Sequence, residues 1–218
     1  DGVIVASFTE DSPARYTKFS SPPDNLKILT ISPPVGNIPS VHFDDEEAGK
    51  LAASHLIAGG CRKLCFFGGN KGSGREKGFS NYLEQKKLPP PLLFTEESYI
   101  GCFPDGKMLA RKLLDLKGLP EGVFTYNDLL AVALLSELSE KGISCPEDIA
   151  IVSCDNTEIC LYPYPALTAI DVNVSAVAKI ALKKMIAFIK GEQIEPLHTT
   201  VAVELAIRES TKGLKEPF

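Results

Sequence analysis

Residues 123–156 read VFTYNDLLAVALLSELSEKGISCPEDIAIVSCDN, which is a strand, a polar turn, a helix and a second strand in direct succession. The strands, at 122–125 and 149–153, are short apolar runs. The segment 128–141 between them has apolar residues at helical spacing until Gly142 ends it. A helix of this length is the usual connection between neighbouring parallel strands. The stretch therefore predicts an α/β fold with a parallel sheet.

The same alternation of strands and helices continues on both sides of this stretch. Further strands are predicted at 3–6, 27–31, 40–43, 63–67, 92–95, 167–170 and 200–207. Further helices are predicted at 44–58, 75–86, 105–114 and 174–189. The helix after residue 43 begins with the acidic run DDEE, which suits the positive end of a helix dipole. We find no sequence repeat, so the pattern predicts a series of strand–helix units.

Length and charge narrow the class of protein. A chain of 218 residues is long enough for one large domain or two lobes with cores of their own. Its net charge of −5 does not favour a free-standing DNA-binding module, which usually concentrates positive charge. The sequence contains no run of ~20 apolar residues that could cross a bilayer, so we expect no membrane partner. It opens with a strand rather than a leader, and we expect it to start in the middle of a fold.

The six cysteines do not follow a standard disulfide or zinc pattern. Their spacing, three residues between Cys61 and Cys65 and five between Cys154 and Cys160, matches no common metal motif. Disulfide scaffolds belong mostly to short secreted chains. We therefore expect free, buried or half-buried thiols in a reducing cytoplasm and no cofactor, with metal or redox chemistry as the open alternative.

Polar side chains follow three of the predicted strands. Arg75 comes after a glycine-rich loop, Asn127 and Asp128 follow one strand, and Asp155 and Asn156 follow another. In open parallel sheets, ligands bind beyond the carboxyl ends of the strands. A cation, an amide and a carboxylate can together bind the hydroxyl groups of a polyhydroxylated ligand. The sequence therefore predicts a small polar ligand at this edge.

Each of these residues also has a purely structural interpretation. Arg75 could pair with a glutamate on its own helix, and Asp155 could be a turn former after a strand. Asn127 and Asp128 could both be helix caps. We favour Asn127 as a ligand contact and Asp128 as the cap. The glycine loop matches neither common nucleotide-phosphate motif, so we expect no nucleotide site there.

At these residues the chain resembles the effector-binding region of the LacI/GalR family of transcription regulators. The matching motifs are DGVIV from Asp1, VHFDDEEAGKLAASHLIAGGCRKLCFFGG from Val41, REKGF from Arg75, the stretch 123–156 quoted above, YPALTAIDV from Tyr164 and ELAIRES from Glu204. They follow one another in family order and cover essentially the whole chain.

The resemblance implies an α/β fold of the periplasmic-binding-protein type I. In this fold two Rossmann-like lobes with parallel sheets are joined by three crossovers, and the effector lies in the cleft. The N-terminal lobe would comprise 1–59 plus 171–192, and the C-terminal lobe 60–170 plus 193–218. The resemblance also implies that the N-terminal lobe is incomplete here, because family members have two further strand–helix units before DGVIV.

Five residues match positions at which the family binds its effectors. Arg75, Asn127 and Asp155 correspond to partners of ligand hydroxyls. Phe103 falls where many members place an aromatic platform, although a lone Phe is also a common core residue. Glu47 corresponds to a polar position at a helix start that can face the ligand.

The resemblance further implies a binding protein and not an enzyme. Its partners would be a small, sugar-like effector, operator DNA through a helix-turn-helix absent from this chain, and a second copy in a homodimer. We find no GxSxG, HExxH or CxxC motif of the kind that would indicate a common catalytic site. Two alternatives remain open, a periplasmic sugar-binding protein of a transporter and an enzyme on a doubly wound sheet.

Overall fold

The computed structural model describes residues 1–6, 26–95 and 101–213. Contacts divide the chain into two units, Asp1–Asp44 with Asn173–Ala202, and Asp45–Val172 with Val203–Phe218. The chain passes from one unit to the other three times, as expected for a fold with three crossovers. None of the helices in the described ranges is both long and apolar enough to cross a membrane.

Among the described residues, the first unit contains a four-stranded parallel sheet against which one helix packs. Its elements are β1 (Gly2–Ala6), β2 (Lys27–Ile31), β3 (Ser40–Phe43), α5 (Val174–Ile189) and β9 (His198–Val201). The strand order is β1-β2-β3-β9, and every pairing is parallel. Leu29 and Val41 of the sheet pack on Val177, Ala181 and Met185 of α5, and this contact forms the unit's core.

The second unit contains a six-stranded sheet with the order β10-β8-β7-β6-β4-β5. Its elements are α1 (Asp45–Ala58), β4 (Leu64–Phe67), α2 (Gly74–Gln85), β5 (Leu92–Phe94), α3 (Phe103–Leu114), β6 (Gly122–Thr125), α4 (Asp128–Glu140), β7 (Ala150–Asp155), β8 (Thr168–Asp171) and β10 (Glu204–Ala206), with 3-10 turns at Glu158–Leu161 and Glu209–Thr211. Only β10 is antiparallel to its neighbour. The interior strands β4 and β6 are buried along their whole length, as in sheets covered on both faces.

The unit boundaries differ from the expected lobe boundaries. Helix α1 groups with the second unit, whereas the expected first lobe included residues up to 59. The reason is a close packing of α1 on α2: a Cβ on Gly49 would lie 2.1 Å from the carbonyl oxygen of Arg75. The strand expected at 200–207 is two strands, since β9 pairs with β3 in the first unit and β10 with β8 in the second.

Candidate functional site

Three parallel neighbours of the second unit, β4, β6 and β7, end at the same edge of the sheet. Their last residues are Phe67, Thr125 and Asp155. Arg75 follows β4, Asn127 follows β6 and Asp155 ends β7, so these three predicted residues lie at this edge. We call the group formed by Asp45, Arg75, Asp128 and Asp155 the edge cluster.

Arg75 joins the elements of the edge cluster. Its guanidinium donates from Nε to Oδ1 of Asp45 at 2.7 Å and from Nη2 to Oδ1 of Asp155 at 3.0 Å. Nη1 donates to the backbone carbonyl of Tyr126, whose ring lies 4.7 Å from the guanidinium carbon. The residue is 5% exposed. Both of these ion pairs connect different elements, so Arg75 is a junction and not a surface residue paired along its own helix.

Two glycines permit the close approach of helices α1 and α2 that brings Asp45 to Arg75. A Cβ on Gly78 would lie 1.9 Å from the carbonyl oxygen of Glu46, and Gly49 is equally close to the backbone at Arg75. Any larger residue would force the helices apart, because real Cβ contacts are not this short. The helix contact therefore fixes the position of the Asp45 carboxylate.

Asp155 is the last residue of β7 and lies in an unusual backbone conformation. Its φ is +108° and that of Asn156 is +55°, values that non-glycine residues rarely adopt. Backbone strain of this kind persists only where the surroundings hold it, and it is concentrated at functional sites. Burial raises the pKa of Asp155 to about 6, Arg75 opposes this rise, and the charge of Asp128 adds to it.

Asp128 holds the turn that contains Asp155. Its buried carboxylate accepts hydrogen bonds from Ser153 Oγ at 2.7 Å, from the backbone N–H of Thr157 at 2.7 Å and from Thr157 Oγ1 at 2.8 Å. These donors lie on either side of the positive-φ pair, at 153 and 157. Asp128 thus fixes both ends of the strained turn.

Asn156 connects the same turn to the neighbouring strand β8. Its Nδ2 donates to Oδ2 of Asp171 at 3.0 Å, and its Oδ1 accepts from Nη2 of Arg208 at 2.7 Å. Arg208 also donates to the carbonyl of Leu167 at 2.6 Å. The side chain of Asn156 is therefore used in holding the backbone next to Asp155.

Asn127 is the N-cap of α4. The sequence had favoured Asp128 as the cap and Asn127 as a ligand contact. Its Oδ1 accepts from the backbone N–H of Leu130 at 3.1 Å, and its Nδ2 donates to the carbonyl of Gly101 at 2.9 Å. Asp128, which we expected to be the cap, instead binds Ser153 and Thr157. Both residue types are good caps, and the buried hydroxyl groups decide between them. A ligand contact by Asn127 remains a prediction.

The structure places the other two predicted site residues on helix starts. Phe103 is the first residue of α3 and is 36% exposed, and the bond from Asn127 to Gly101 ties its segment to the start of α4. Glu47, in the first turn of α1, pairs with Lys50 at 2.8 Å. Ligand contacts by Phe103 and Glu47 stay predictions.

The thiols have the expected character. All six cysteines lie in the described part of the chain and are free, four of them buried and two half-buried. Cys154 adjoins Asp155, and burial raises the pKa of its thiol well above the ordinary value. At neutral pH it is therefore a small, uncharged neighbour of the edge cluster.

Sequence reasoning missed two members of the site, Asp45 and Tyr126. Asp45 belongs to an acidic run that a helix dipole explains without any partner. Tyr126 immediately precedes the predicted asparagine, and its position after β6 is a signal that could have identified it.

A cavity of about 540 Å³ lies at the opposite, amino edge of the sheet, lined by residues such as Ser144, Glu147 and Pro165.

Two mostly parallel α/β sheets with polar side chains at a strand edge are the architecture of the periplasmic binding proteins. The chain belongs to the family of periplasmic binding protein-like domains, whose model matches residues 53–211. The resemblance to the effector-binding region of LacI-type regulators is thereby confirmed.

Individual relatives are regulators of transcription. The chain is 27% identical to the "HTH-type transcriptional repressor PurR" of Vibrio parahaemolyticus over 98% of its own length and 65% of that protein. It resembles the solved "transcriptional regulator CelR-cellobiose complex" at 23% identity and a TM-score of 0.81, covering 96% of this chain and 65% of that one. A protein of Alkaliphilus metalliredigens, "periplasmic binding protein/LacI transcriptional regulator", complexed with D-xylulofuranose, gives 24% identity and a TM-score of 0.76, with coverages of 96% and 77%. The chain thus spans about two thirds of the length of the repressor.

Proposed function

We propose that this chain is the effector-binding part of a LacI-type transcription regulator. The observation that carries the proposal is the edge cluster: an arginine and carboxylates from separate elements converge where parallel strands end. Binding proteins of this architecture place their ligands at such edges. The family match and the repressor relatives support the regulatory role.

The ligand is proposed to be a small polar molecule such as a sugar. The side chain of Asp155 is 33% exposed, so one of its oxygens can accept a hydrogen bond from a ligand hydroxyl while Arg75 binds the other. Two structural relatives hold cellobiose and D-xylulofuranose, which supports a sugar without identifying it. Asn127, Phe103 and Glu47 are proposed as further contacts.

A binding role, not catalysis, follows from this proposal. The ligand changes the affinity of the full-length protein for operator DNA, which a domain outside this chain binds. Such an effect needs a difference in ligand affinity between two conformations and no chemical step. Incubated sugars should therefore be recovered unchanged. The regulator acts in the cytoplasm as a homodimer, and light scattering on the full-length protein tests the dimer.

The decisive experiment measures DNA binding by the full-length protein with and without sugars. We expect at least one sugar to shift the midpoint of an operator titration by about fivefold or more, the range of ordinary allosteric coupling. If sugars bind but no DNA affinity exists, the chain is instead a transporter's binding protein. A helix-turn-helix encoded upstream supports the regulator, and a leader peptide supports that alternative.

A further inference from the structure

We propose that the edge cluster selects an uncharged, polyhydroxylated ligand and discriminates against phosphates and carboxylates. This inference rests on the proposed function, since it specifies the ligand of the same site. It is carried by the hydrogen bonds of Arg75 and by the balance of charge around it.

Arg75 is already bound to acceptors of the protein. Each of its three guanidinium nitrogens donates to one of them: Nε to Asp45, Nη2 to Asp155, and Nη1 to the carbonyl of Tyr126. These bonds use three of the five guanidinium N–H groups, and one of the three is the single N–H of Nε. A phosphate or carboxylate could therefore not form a two-pronged bond that includes Nε without displacing Asp45. A hydroxyl group needs no displacement, because it can donate to the exposed face of Asp155.

Carboxylates outnumber the guanidinium in the edge cluster. All four charges affect the pKa of the same buried thiol, that of Cys154: the three aspartates raise it and Arg75 lowers it. With all four groups ionised the cluster carries a net charge of −2. Asp128 is 2% exposed and Arg75 5%, so solvent screens their charges weakly. An anionic ligand would add a further negative charge to this environment.

Two other cations of the described segments lie near this edge, and they do not reverse the balance. Arg208 is held by Asn156 and by the carbonyl of Leu167, on the far side of the turn and close to Asp171. Lys71 lies in the glycine loop and is exposed, so water screens its charge. Burial is the main cause of the raised pKa of Asp155; Arg75 opposes the rise, and the charges of Asp128 and Asp45 add to it.

The first experiment separates bacterial small molecules by charge before they meet the protein. A low-molecular-weight extract is passed over an anion exchanger, and the flow-through and retained fractions are tested for thermal stabilisation of the full-length protein. We expect the flow-through to stabilise the protein and the retained fraction not to. Stabilisation by the retained fraction overturns this inference while leaving the proposed function intact. Stabilisation by neither fraction overturns the proposed function itself.

The second experiment uses matched compounds and a charge variant. Sugars that stabilise the protein are compared by calorimetry with their phosphates and sugar acids. We expect the uncharged member to bind at least about tenfold more tightly, and equal affinities would contradict the inference. Asp45→Asn removes one negative charge but keeps an acceptor for Nε of Arg75, so it should reduce this ratio by about fivefold or more.

The control for charge alone is Glu140→Gln. Glu140 is an exposed carboxylate at the other end of α4, where it pairs with Lys107 at 2.9 Å. Its loss should leave the ratio of affinities unchanged. If Asp45→Asn has no greater effect than Glu140→Gln, the carboxylates of the edge cluster do not set the preference, and the inference fails.

Discussion

Arg75 and Asp155 lie 80 residues apart in the sequence and form an ion pair of 3.0 Å at the carboxyl edge of the six-stranded sheet. Arg75 lies in the first turn of α2, the helix after β4, and Asp155 ends β7. The pair therefore links the two outer members of the group β4, β6 and β7. The remaining oxygen of Asp155 is the group that we expect to meet a ligand.

Replacing Asp155 by alanine should weaken ligand binding while leaving the fold intact. The expected loss is at least about 1.5 kcal/mol, as for other hydrogen bonds to a charged group. Calorimetric titration with a bound sugar measures it, and Glu140→Gln provides the control. An unchanged affinity in Asp155→Ala would remove Asp155 from the site.

Asp155 also predicts a dependence of stability on pH. Its pKa of about 6 in the folded protein lies above the ordinary value of 3.8, so between these values the folded state binds more protons than the unfolded state. The contribution of Asp155 to the free energy of unfolding therefore falls as pH rises from about 4 to above 6. Urea denaturation of the natural protein and of Asp155→Asn should show the natural protein losing stability relative to the variant across this window. A constant difference would contradict the assignment.

Replacing Asp128 by asparagine should loosen the turn at 153–157. The amide would keep one acceptor and place an N–H₂ group among three donors, which leaves buried groups without partners. We expect a loss of about 2 kcal/mol or more in the free energy of unfolding, together with weaker ligand binding. Asp115→Asn, at the exposed end of α3, is the matched control and should change stability by no more than about 0.5 kcal/mol. Equal effects of the two substitutions would argue against the role of Asp128.

Replacing Gly49 by alanine tests the contact between α1 and α2. Helix propensity alone predicts that Gly→Ala stabilises a helix by up to about 1 kcal/mol. The short distance to the backbone of Arg75 predicts the opposite sign, with a loss of about 2 kcal/mol from overpacking. Gly118→Ala should be nearly neutral, because a Cβ at Gly118 would meet no atom of the described segments within 4 Å beyond its chain neighbours, and its φ is ordinary. A stabilising Gly49→Ala would show that the helices separate at no cost.

The sequence was sufficient for the features that depend on periodicity and topology. The apolar runs and the helical spacing in 123–156 predicted β6, α4 and β7, and parallel strands necessarily bring Arg75 and Asp155 to one edge. The same reasoning could not find the pairing of Asp45 with Arg75. That pairing depends on Gly49 and Gly78, which lie in different helices. The sequence around a glycine does not indicate which backbone the glycine will approach.

The division of roles between Asn127 and Asp128 was also beyond the sequence. Each can cap a helix, and the outcome depends on Ser153 and Thr157, which reach Asp128 only after β6 and β7 have paired. The units differ from the expected lobe boundaries for a related reason. Gly59 ends helix α1, but the helix belongs with the second unit because of its contact with α2 and not because of its own sequence.

The most direct test of the central claim is to map the ligand by NMR on the labelled protein. A sugar that stabilises the protein should shift the backbone amides of residues 75, 126–128 and 155–157, which surround the edge cluster. Shifts confined to residues 144–147 and 164–165, around the cavity at the amino edge, would contradict the claim, as would the absence of any shift at Asp155.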